Sequence, residues 1–445
     1  GVSPNPDPVC RFGSAAPVTN RVGGREPAPD PEGPDRIAVH MPVAGTSGQA
    51  AQDPDGTTPP AVRPRFLAGL TLAQTGVFIA FVPLLNFLLP LQAAAIDPAA
   101  RIVLLSQTAF WGGLVSGAAN IVFGMLSDRT PGPFGRRRPW VVIGLVIVLI
   151  SYLMIFNART GPSLIIAVIV FQAGLNALFG PLNALLPDMV PDRQKGLVSS
   201  LLGLAHPIAT LFTALVMAIW LTDPATRFLA MAGTVVVLVL PILLTTRESS
   251  LTARPGRSGL SLGALLNRDF AVAFGSRLLV QVAITLNALY LLFYVQGSAP
   301  LAARFTSQGL ETVFGWLLAA HTVTALLAGF VGGLWSDRLG RRKVFIFVSG
   351  CLMAAGMVAL VAVPTWPGPL VGQVLFGAGL GLFTTVDLAL VTQVLPRRAH
   401  AGGDLGLMNL ANSLPQVAAP SLGLMIFYLG GDAGLTWAFL VAAGF

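Results

Sequence analysis

The chain has 445 residues, of which 54% are hydrophobic and only 10% charged, and its mean hydropathy is +0.74. This composition excludes a soluble globular chain and is typical of a protein embedded in lipid. The formal net charge of +8 requires no nucleic-acid partner, because the basic residues concentrate in the connections between apolar segments. The two cysteines, Cys10 and Cys351, suit neither a disulfide framework nor a metal site.

A polar segment, residues 1–64, opens the chain; it is rich in Pro, Gly, Asp and Ala and lacks apolar periodicity. We predict a disordered tail there, without the layout of a signal peptide. Eleven apolar segments follow, each long enough to cross a bilayer as a helix, near residues 66–90, 102–126, 140–157, 163–186, 196–220, 226–246, 271–295, 311–335, 344–363, 369–395 and 405–429. A twelfth apolar segment begins near residue 434, but the stretch up to Phe445 is too short to span a bilayer, so we expect a truncated twelfth helix.

The charges of the connections predict the orientation of the chain. From residue 63 onward, one alternating set of connections holds eighteen Arg and Lys residues, and the other set holds four, namely Arg101, Arg159, Arg227 and Arg304. The positive-inside rule then places the first set and the N-terminus in the cytoplasm. Lys occurs only as Lys195 and Lys343, a bias towards Arg that indicates a GC-rich genome. We therefore expect a bacterial source and a multi-pass protein of the cell (plasma) membrane, which in a bacterium is the inner membrane.

An internal repeat relates the two halves of the chain. The run GMLSDR at 124–129 aligns with GLWSDR at 333–338 at an offset of 209 residues, and the same offset takes Leu186-Pro187 to Leu395-Pro396. Two loops that agree on one offset indicate a duplicated unit of six helices in parallel orientation. We expect one helix bundle at 65–247, a cytoplasmic linker at 248–268 and a second bundle at 269–445.

The loop motifs are longer than this alignment and read GMLSDRTPGPFGRRRPW at 124–140 and GLWSDRLGRRK at 333–343. Both resemble the loop signature of the major facilitator superfamily. The first copy, with four extra residues before Gly135, is similar to the form found in glycoside-cation symporters and in the sucrose-proton symporter group. The resemblance implies an all-α membrane protein with the 12-helix major facilitator fold, built as two six-helix bundles.

The same motifs are candidates for conformational gating. A carboxylate at Asp128 or Asp337 is placed to face helix N-termini and neighbouring Arg side chains, which can hold the cytoplasmic side closed until the halves rock. The alternative is that these charges only anchor the topology. The gating candidates are Gly124, Asp128, Arg129, Gly135, Arg136, Arg137, Asp337, Arg338, Gly340 and Arg341.

Ionisable residues inside the spans are functional candidates, because charge is costly in lipid. Arg277 and Asp387 lie about two turns from the cytoplasmic ends of the seventh and tenth spans, so their depths match and they can pair. Asp387 is the only embedded acid away from the loop motifs, and we predict that it carries proton coupling; a permanent structural ion pair is the alternative. His206, just before Pro207, is a second coupling candidate, with helix–helix hydrogen bonding as its alternative.

Uncharged polar side chains form stripes on several spans and predict a substrate-binding cavity. Amides both donate and accept hydrogen bonds, which suits a polyhydroxylated ligand, and an aromatic side chain can stack on a sugar ring. Interhelical hydrogen bonding is the alternative for some of them. The candidates for substrate binding are Gln74, Asn86, Trp111, Gln172, Asn176, Arg277, Gln281, His321, Gln373, Asn409 and Asn412.

The sequence contains no GxxxxGK[ST] phosphate loop and no clustered catalytic constellation, so we expect a secondary transporter and not an ATP-driven one or an enzyme. Duplicated gating loops favour alternating access over a channel. The amide-rich spans favour proton symport of a sugar or glycoside, with proton-coupled export of drugs or metabolites as the alternative. We expect no metal, cofactor or sodium site, and a monomer whose partners are small-molecule substrate, protons and the lipid bilayer.

Overall fold

The computed structural model of the chain describes residues 62–130, 135–245, 268–394, 411, 413–430 and 434–445. Apart from one short turn of helix at Ala299–Ala302, these residues form twelve helices. Ten are long and apolar enough to cross a membrane, and the last two are shorter apolar helices. Their bounds are Pro64–Ile96 (α1), Arg101–Arg129 (α2), Arg138–Phe156 (α3), Gly161–Met189 (α4), Arg193–Trp220 (α5), Pro224–Thr245 (α6), Arg268–Gly297 (α7), Ser307–Leu339 (α8), Arg342–Ala362 (α9), Gly368–Val394 (α10), Pro415–Gly430 (α11) and Gly434–Ala443 (α12).

The predicted all-α membrane architecture is confirmed, and most helices extend a few residues beyond the apolar segments. Helix α8, for example, runs over Ser307–Leu339 and so continues into the loop motif. Helix α11 is described over Pro415–Gly430, and its predicted start near 405 lies outside the described residues. The linker and residues 401–410 lie outside the described part of the chain, as does the N-terminal segment up to residue 61.

Successive helices run in alternating directions, so the connections fall into two sets at opposite ends. At one end Gln92, near the end of α1, donates to the carbonyl oxygen of Ala158, just after α3, at 3.1 Å. At the other end Arg138, at the start of α3, donates to the carbonyl oxygen of Leu243 in α6. We call the second end, which carries the loop motifs, the arginine-rich end, and the first the arginine-poor end.

Local capping signals define several helix ends. Thr160 and Ser163 form a reciprocal capping box at the start of α4. Gly340 ends α8 with φ of 62°, a left-handed conformation that Gly adopts without strain. Asp223 caps α6, and hydrogen bonds from the Thr226 backbone and hydroxyl lower the pKa of its carboxyl from the ordinary value.

Two helices depart from regular geometry in the membrane region. Helix α5 is interrupted at Leu204, three residues before Pro207, whose ring removes a backbone donor and disrupts the preceding turn. It continues through Ala205–Phe212 into a π-helical segment at Thr213–Trp220. Helix α1 has a shorter π segment at Leu84–Leu88, directly after Pro83. Such segments are frequent at functional sites, because they re-aim side chains along the helix.

Small residues allow α8 and α10 to pack closely in the C-terminal half. A Cβ atom at Gly377 would collide with the carbonyl oxygen of His321 and would lie 2.5 Å from Oγ1 of Thr324. A backbone carbonyl of a helix cannot move away from an added methyl group unless the whole helix shifts. The close approach therefore holds the backbone of His321 in place against α10.

We expect Gly377→Ala to destabilise the protein by about 1–3 kcal/mol, because the added methyl group overpacks this contact. Thermal unfolding of the detergent-solubilised protein, followed by size-exclusion chromatography, measures the effect. Gly350→Ala in α9 is the matched control, since no atom lies within 4 Å of a Cβ at that position and Ala favours a helix more than Gly does. Equal melting temperatures for the two variants would contradict the prediction.

Candidate functional site: a cavity between the two halves

The two halves, α1–α6 and α7–α12, contact each other chiefly from mid-depth to the arginine-poor end. Helices α2 and α11 meet where a Cβ at Gly113 would lie 2.5 Å from the carbonyl oxygen of Gln416. Helices α5 and α8 meet where a Cβ at Gly315 would lie 2.8 Å from the carbonyl oxygen of Ala214. These two close contacts flank the region between the halves.

Side chains close the arginine-poor end more tightly. Phe87 of α1 stacks on Phe314 of α8, with ring centroids 5.5 Å apart. Arg227 at the start of α6 forms an ion pair with Glu311 of α8, and its guanidinium carbon lies 4.8 Å from the centroid of the Phe87 ring. Ser106 of α2 shares a hydrogen bond with the Tyr290 hydroxyl of α7. We call the pair of Arg227 and Glu311, with the two stacked phenylalanines, the latch.

The arginine-rich end is open between the halves. Among the described residues, no heavy atom lies within 4 Å of a Cβ at Gly180 of α4 or Gly203 of α5. The segment of α5 before Leu204 diverges from α8, whereas the rest of α5 packs along it. We take the space between the diverging parts of the two halves, from the arginine-rich end to the close contacts near mid-depth, as the candidate cavity.

The ion pair of Arg277 in α7 and Asp387 in α10 lies within the C-terminal half, towards the arginine-rich end. Nη1 of Arg277 is 3.1 Å from Oδ2 of Asp387, and the side chains are 18% and 11% exposed. The matched depths in the sequence predict this pair, and its formation is confirmed; its role in proton coupling stays a prediction. Gln281 lies one turn along α7 and has contacts of its own.

A second polar pair joins α7 and α10 deeper in the protein. Asn287 and Gln373 exchange amide hydrogen bonds of 3.3 and 2.9 Å, and both side chains are buried. The amide oxygen and the amide nitrogen of Gln373 both take part in this pair, which joins the two helices; its role in substrate binding stays a prediction. Sequence reasoning missed Asn287, although a lone Asn in an apolar stretch needs a partner and signals such a pair.

Amides of the N-terminal half lie between α2 and α4. Asn176 donates to Ser116 at 3.0 Å and accepts from Asn120 at 3.3 Å. Gln172 lies one turn away, and its Oε1 is buried with no hydrogen-bond partner. Gln74 of α1 donates to Asn183 of α4 at 3.2 Å, and its own Oε1 is likewise buried and unpartnered. Both acceptors are closed off in this conformation, so the part of Gln74 and Gln172 in substrate binding stays a prediction.

The two intramembrane histidines come from different halves. His206 in α5 is exposed, and His321 in α8 is partly buried, with its Nδ1 buried and without a hydrogen-bond partner. The segment Ala205–Phe212 of α5, which carries His206, packs against α8, which carries His321. The sequence presents the two histidines as separate candidates, His206 for proton coupling and His321 for substrate binding, and does not bring them together.

Some predicted residues lie elsewhere. Trp111 is 45% exposed on the face of α2 that also carries exposed Leu114 and Met125, opposite Asn120, so the structure places it on the outer surface and not in the cavity. Asn86 is half-buried in the π segment of α1. Asn409 and Asn412 lie outside the described residues.

The first loop motif is partly described. Gly135 has φ of 91°, as a tight turn requires, and Nη1 of the buried Arg137 lies 3.4 Å from the Ser127 hydroxyl. Arg136 is partly buried, and Arg129 is exposed. In the second motif Arg338 and Arg341 are exposed. The side chains of Asp128 and Asp337 lie outside the described part, so the gating role of these motifs stays a prediction.

Comparison with known proteins decides the family. The profile of the Major Facilitator Superfamily matches residues 66–309 and 299–445. The chain belongs to the major facilitator superfamily. It is therefore a transporter of small solutes and not an enzyme.

Two curated transporters are similar over part of their length. One is the 3-(3-hydroxy-phenyl)propionate transporter of Escherichia coli (strain K12), 30% identical over 168 residues, which are 34% of this chain and 41% of the relative. The other is Myo-inositol transporter 3C of Cryptococcus neoformans var. grubii serotype A, 27% identical over 128 residues, 29% of this chain and 21% of the relative. The chain thus matches less than half of the length of either.

Solved structures match over most of the superfamily fold. The nucleoside transporter NupG has a TM-score of 0.63 at 14% identity, over 85% of this chain and 95% of that one. A bacterial homolog of the human lysosomal transporter Spinster, in an inward-facing and unoccupied conformation, has a TM-score of 0.64 at 12% identity, over 86% and 95%. At these identities the likeness concerns the fold alone.

Proposed function

We propose that this superfamily member is a secondary active transporter that moves a sugar or glycoside by proton symport, through alternating access. The observation that carries the proposal is the asymmetry between the two ends. The latch closes the arginine-poor end, while α5 and α8 separate towards the other end. By the positive-inside rule the arginine-rich end is cytoplasmic, which makes this conformation inward-facing.

The proposed coupling element is the Arg277–Asp387 pair. A carboxylate can couple proton and solute movement if its affinity for a proton changes as access alternates. Asp387 is only 11% exposed and faces a single described cation at 3.1 Å in this conformation, so separation from Arg277 would leave its charge poorly compensated and favour proton uptake. The proposal includes a bacterial inner membrane, a cytoplasmic N-terminus and a monomer.

The names of the two curated relatives support a hydroxylated solute, since each contains a compound with at least one hydroxyl group on a six-membered ring. The unpartnered amide acceptors of Gln74 and Gln172 suit hydroxyl donors. A second candidate, proton-coupled export of drugs or metabolites, is favoured by the aromatic rings around the histidines, since Phe78 and Phe179 lie edge to face at 5.9 Å beside His206.

Reconstitution of the full chain into liposomes with an internal pH dye tests the proposal. A proton gradient is imposed, and glucose, sucrose, myo-inositol and 3-(3-hydroxyphenyl)propionate are added one at a time. Proton influx evoked by one solute, absent from empty liposomes, would support symport. Silence with all of them, together with proton counterflow driven by lipophilic compounds, would move the assignment to an exporter.

A further inference from the structure

The candidate cavity ends where α5 and α8, one helix from each half, pack closely against each other. These helices touch at Ala214 and Gly315. At a rise of 1.5 Å per residue, His206 lies about 12 Å along α5 from Ala214, and His321 lies about 9 Å along α8 from Gly315. Both imidazoles therefore lie on the cavity side of the close contact, at similar depth.

The surroundings of His206 leave its ring accessible to the cavity. The residue is exposed, although it lies near the middle of α5. Its ring meets Phe78 of α1 edge to face, with centroids 5.6 Å apart, and Phe78 meets Phe179 of α4 in the same way at 5.9 Å. The imidazole thus stands beside two aromatic rings of the N-terminal half, which can contact an apolar ring face.

The surroundings of His321 fix its ring and leave one nitrogen unused. The ring stacks on Phe376 of α10, with centroids 5.5 Å apart and an interplanar angle of 26°. Its backbone is held by the close approach of Gly377. Nδ1 is buried and has no hydrogen-bond partner, an arrangement that costs free energy unless a partner arrives. Helix packing accounts for the position of the ring but leaves Nδ1 unsatisfied.

We propose that His206 and His321 form a paired imidazole site that binds a hydroxyl-bearing six-membered ring between the two halves. A neutral imidazole has one donor and one acceptor nitrogen, and a hydroxyl group can complement either. Hydroxyls on the ligand edge bond to the two imidazoles, while its ring face packs against Phe78 and Phe179. Since each half supplies one imidazole, the ligand bridges α5 and α8 and favours conformations in which they approach.

This proposal rests on the proposed function and names the ligand contacts within that cavity. Its test is counterflow exchange of labelled solute in proteoliposomes without a proton gradient, so proton coupling does not enter the measurement. The probes are myo-inositol and 3-(3-hydroxyphenyl)propionate, which distinguish an aliphatic from an aromatic hydroxylated ring. The variants are His321→Phe, which retains the stacking on Phe376, and His206→Phe.

We expect each Phe variant to raise the half-saturation concentration for the accepted probe at least tenfold. His321→Asn should remain within about threefold of the unaltered chain, whereas His321→Gln should not, because the Asn amide occupies the place of Nδ1 and the Gln amide that of Nε2. The control is Phe330→Leu, nine residues further along α8 on the opposite side and 71% exposed. It should leave exchange unchanged.

An unchanged half-saturation concentration in His321→Phe would overturn the paired site, and so would an Asn variant no better than Phe. Where a variant does not reconstitute, the shift in melting temperature on adding probe to the detergent-solubilised protein gives the same comparison. Failure of the unaltered chain to exchange either probe or glucose would overturn the ligand class. Proton-driven transport of a sugar whose half-saturation concentration is the same in the unaltered chain and in both Phe variants would overturn the paired site and leave the proposed function standing.

Discussion

Asp387→Asn should abolish proton-driven accumulation of substrate while exchange of substrate across the membrane continues. The amide has nearly the shape of the carboxylate but cannot take up and release a proton. It also removes one partner of a largely buried ion pair, so some loss of stability is expected as well. In proteoliposomes with an inward proton gradient, the ratio of internal to external solute should fall to about one, the value without coupling to the gradient.

Two further variants separate coupling from stability. The double variant Arg277→Gln/Asp387→Asn removes both charges and should regain stability without regaining accumulation, because no uncompensated charge remains. Asp223→Asn is the matched control; it changes an exposed acid that caps α6, and Asn is also a good cap. Normal accumulation in Asp387→Asn would remove this residue from the coupling role.

Glu311→Gln should open the arginine-poor end of the protein. The change leaves Arg227, 3% exposed, without its anionic partner between the halves. Loss of one member of a buried pair costs about 3–5 kcal/mol, and 1.4 kcal/mol already changes a two-state ratio tenfold. We therefore expect the population of conformations open at this end to rise by about two to three orders of magnitude.

Spin labels at this end can measure the opening. A chain with Cys10 and Cys351 replaced by Ser carries labels at Ala99→Cys, in the connection between α1 and α2, and at Ala303→Cys, just before α8; both positions are exposed. Glu311→Gln should add a longer component to the distance distribution. The exchanged pair Arg227→Glu/Glu311→Arg should reduce that component.

The control for the latch is Arg304→Ala. Arg304 is a basic residue at the same end, and its guanidinium carbon lies 5.7 Å from the ring centroid of Phe305 within its own half. Removing it should leave the distance distribution unaltered. A distribution in Glu311→Gln that matches the unaltered chain would show that the ion pair does not hold this end closed.

Features that depend on position along the chain could be predicted from the sequence. Apolar segments of sufficient length give helices that cross the membrane, because backbone groups in lipid must be satisfied within the segment. The match in depth of Arg277 and Asp387 follows from counting residues from the helix ends. These predictions need only helix geometry and the cost of burying charge.

Features that depend on how helices are rotated against one another came from the folded structure. Trp111 and Asn120 both lie on α2, and only packing shows that the first faces outward. From the sequence, Arg227 is only a charge in a connection between two apolar segments. The packing of α6 against α8 pairs it with Glu311, 84 residues away. Likewise, only the packing of the halves brings the helix segments that carry His206 and His321 into contact. Helical periodicity sets the depth of a side chain and its direction on its own helix, whereas the partner it meets is decided by contacts between segments far apart in the chain.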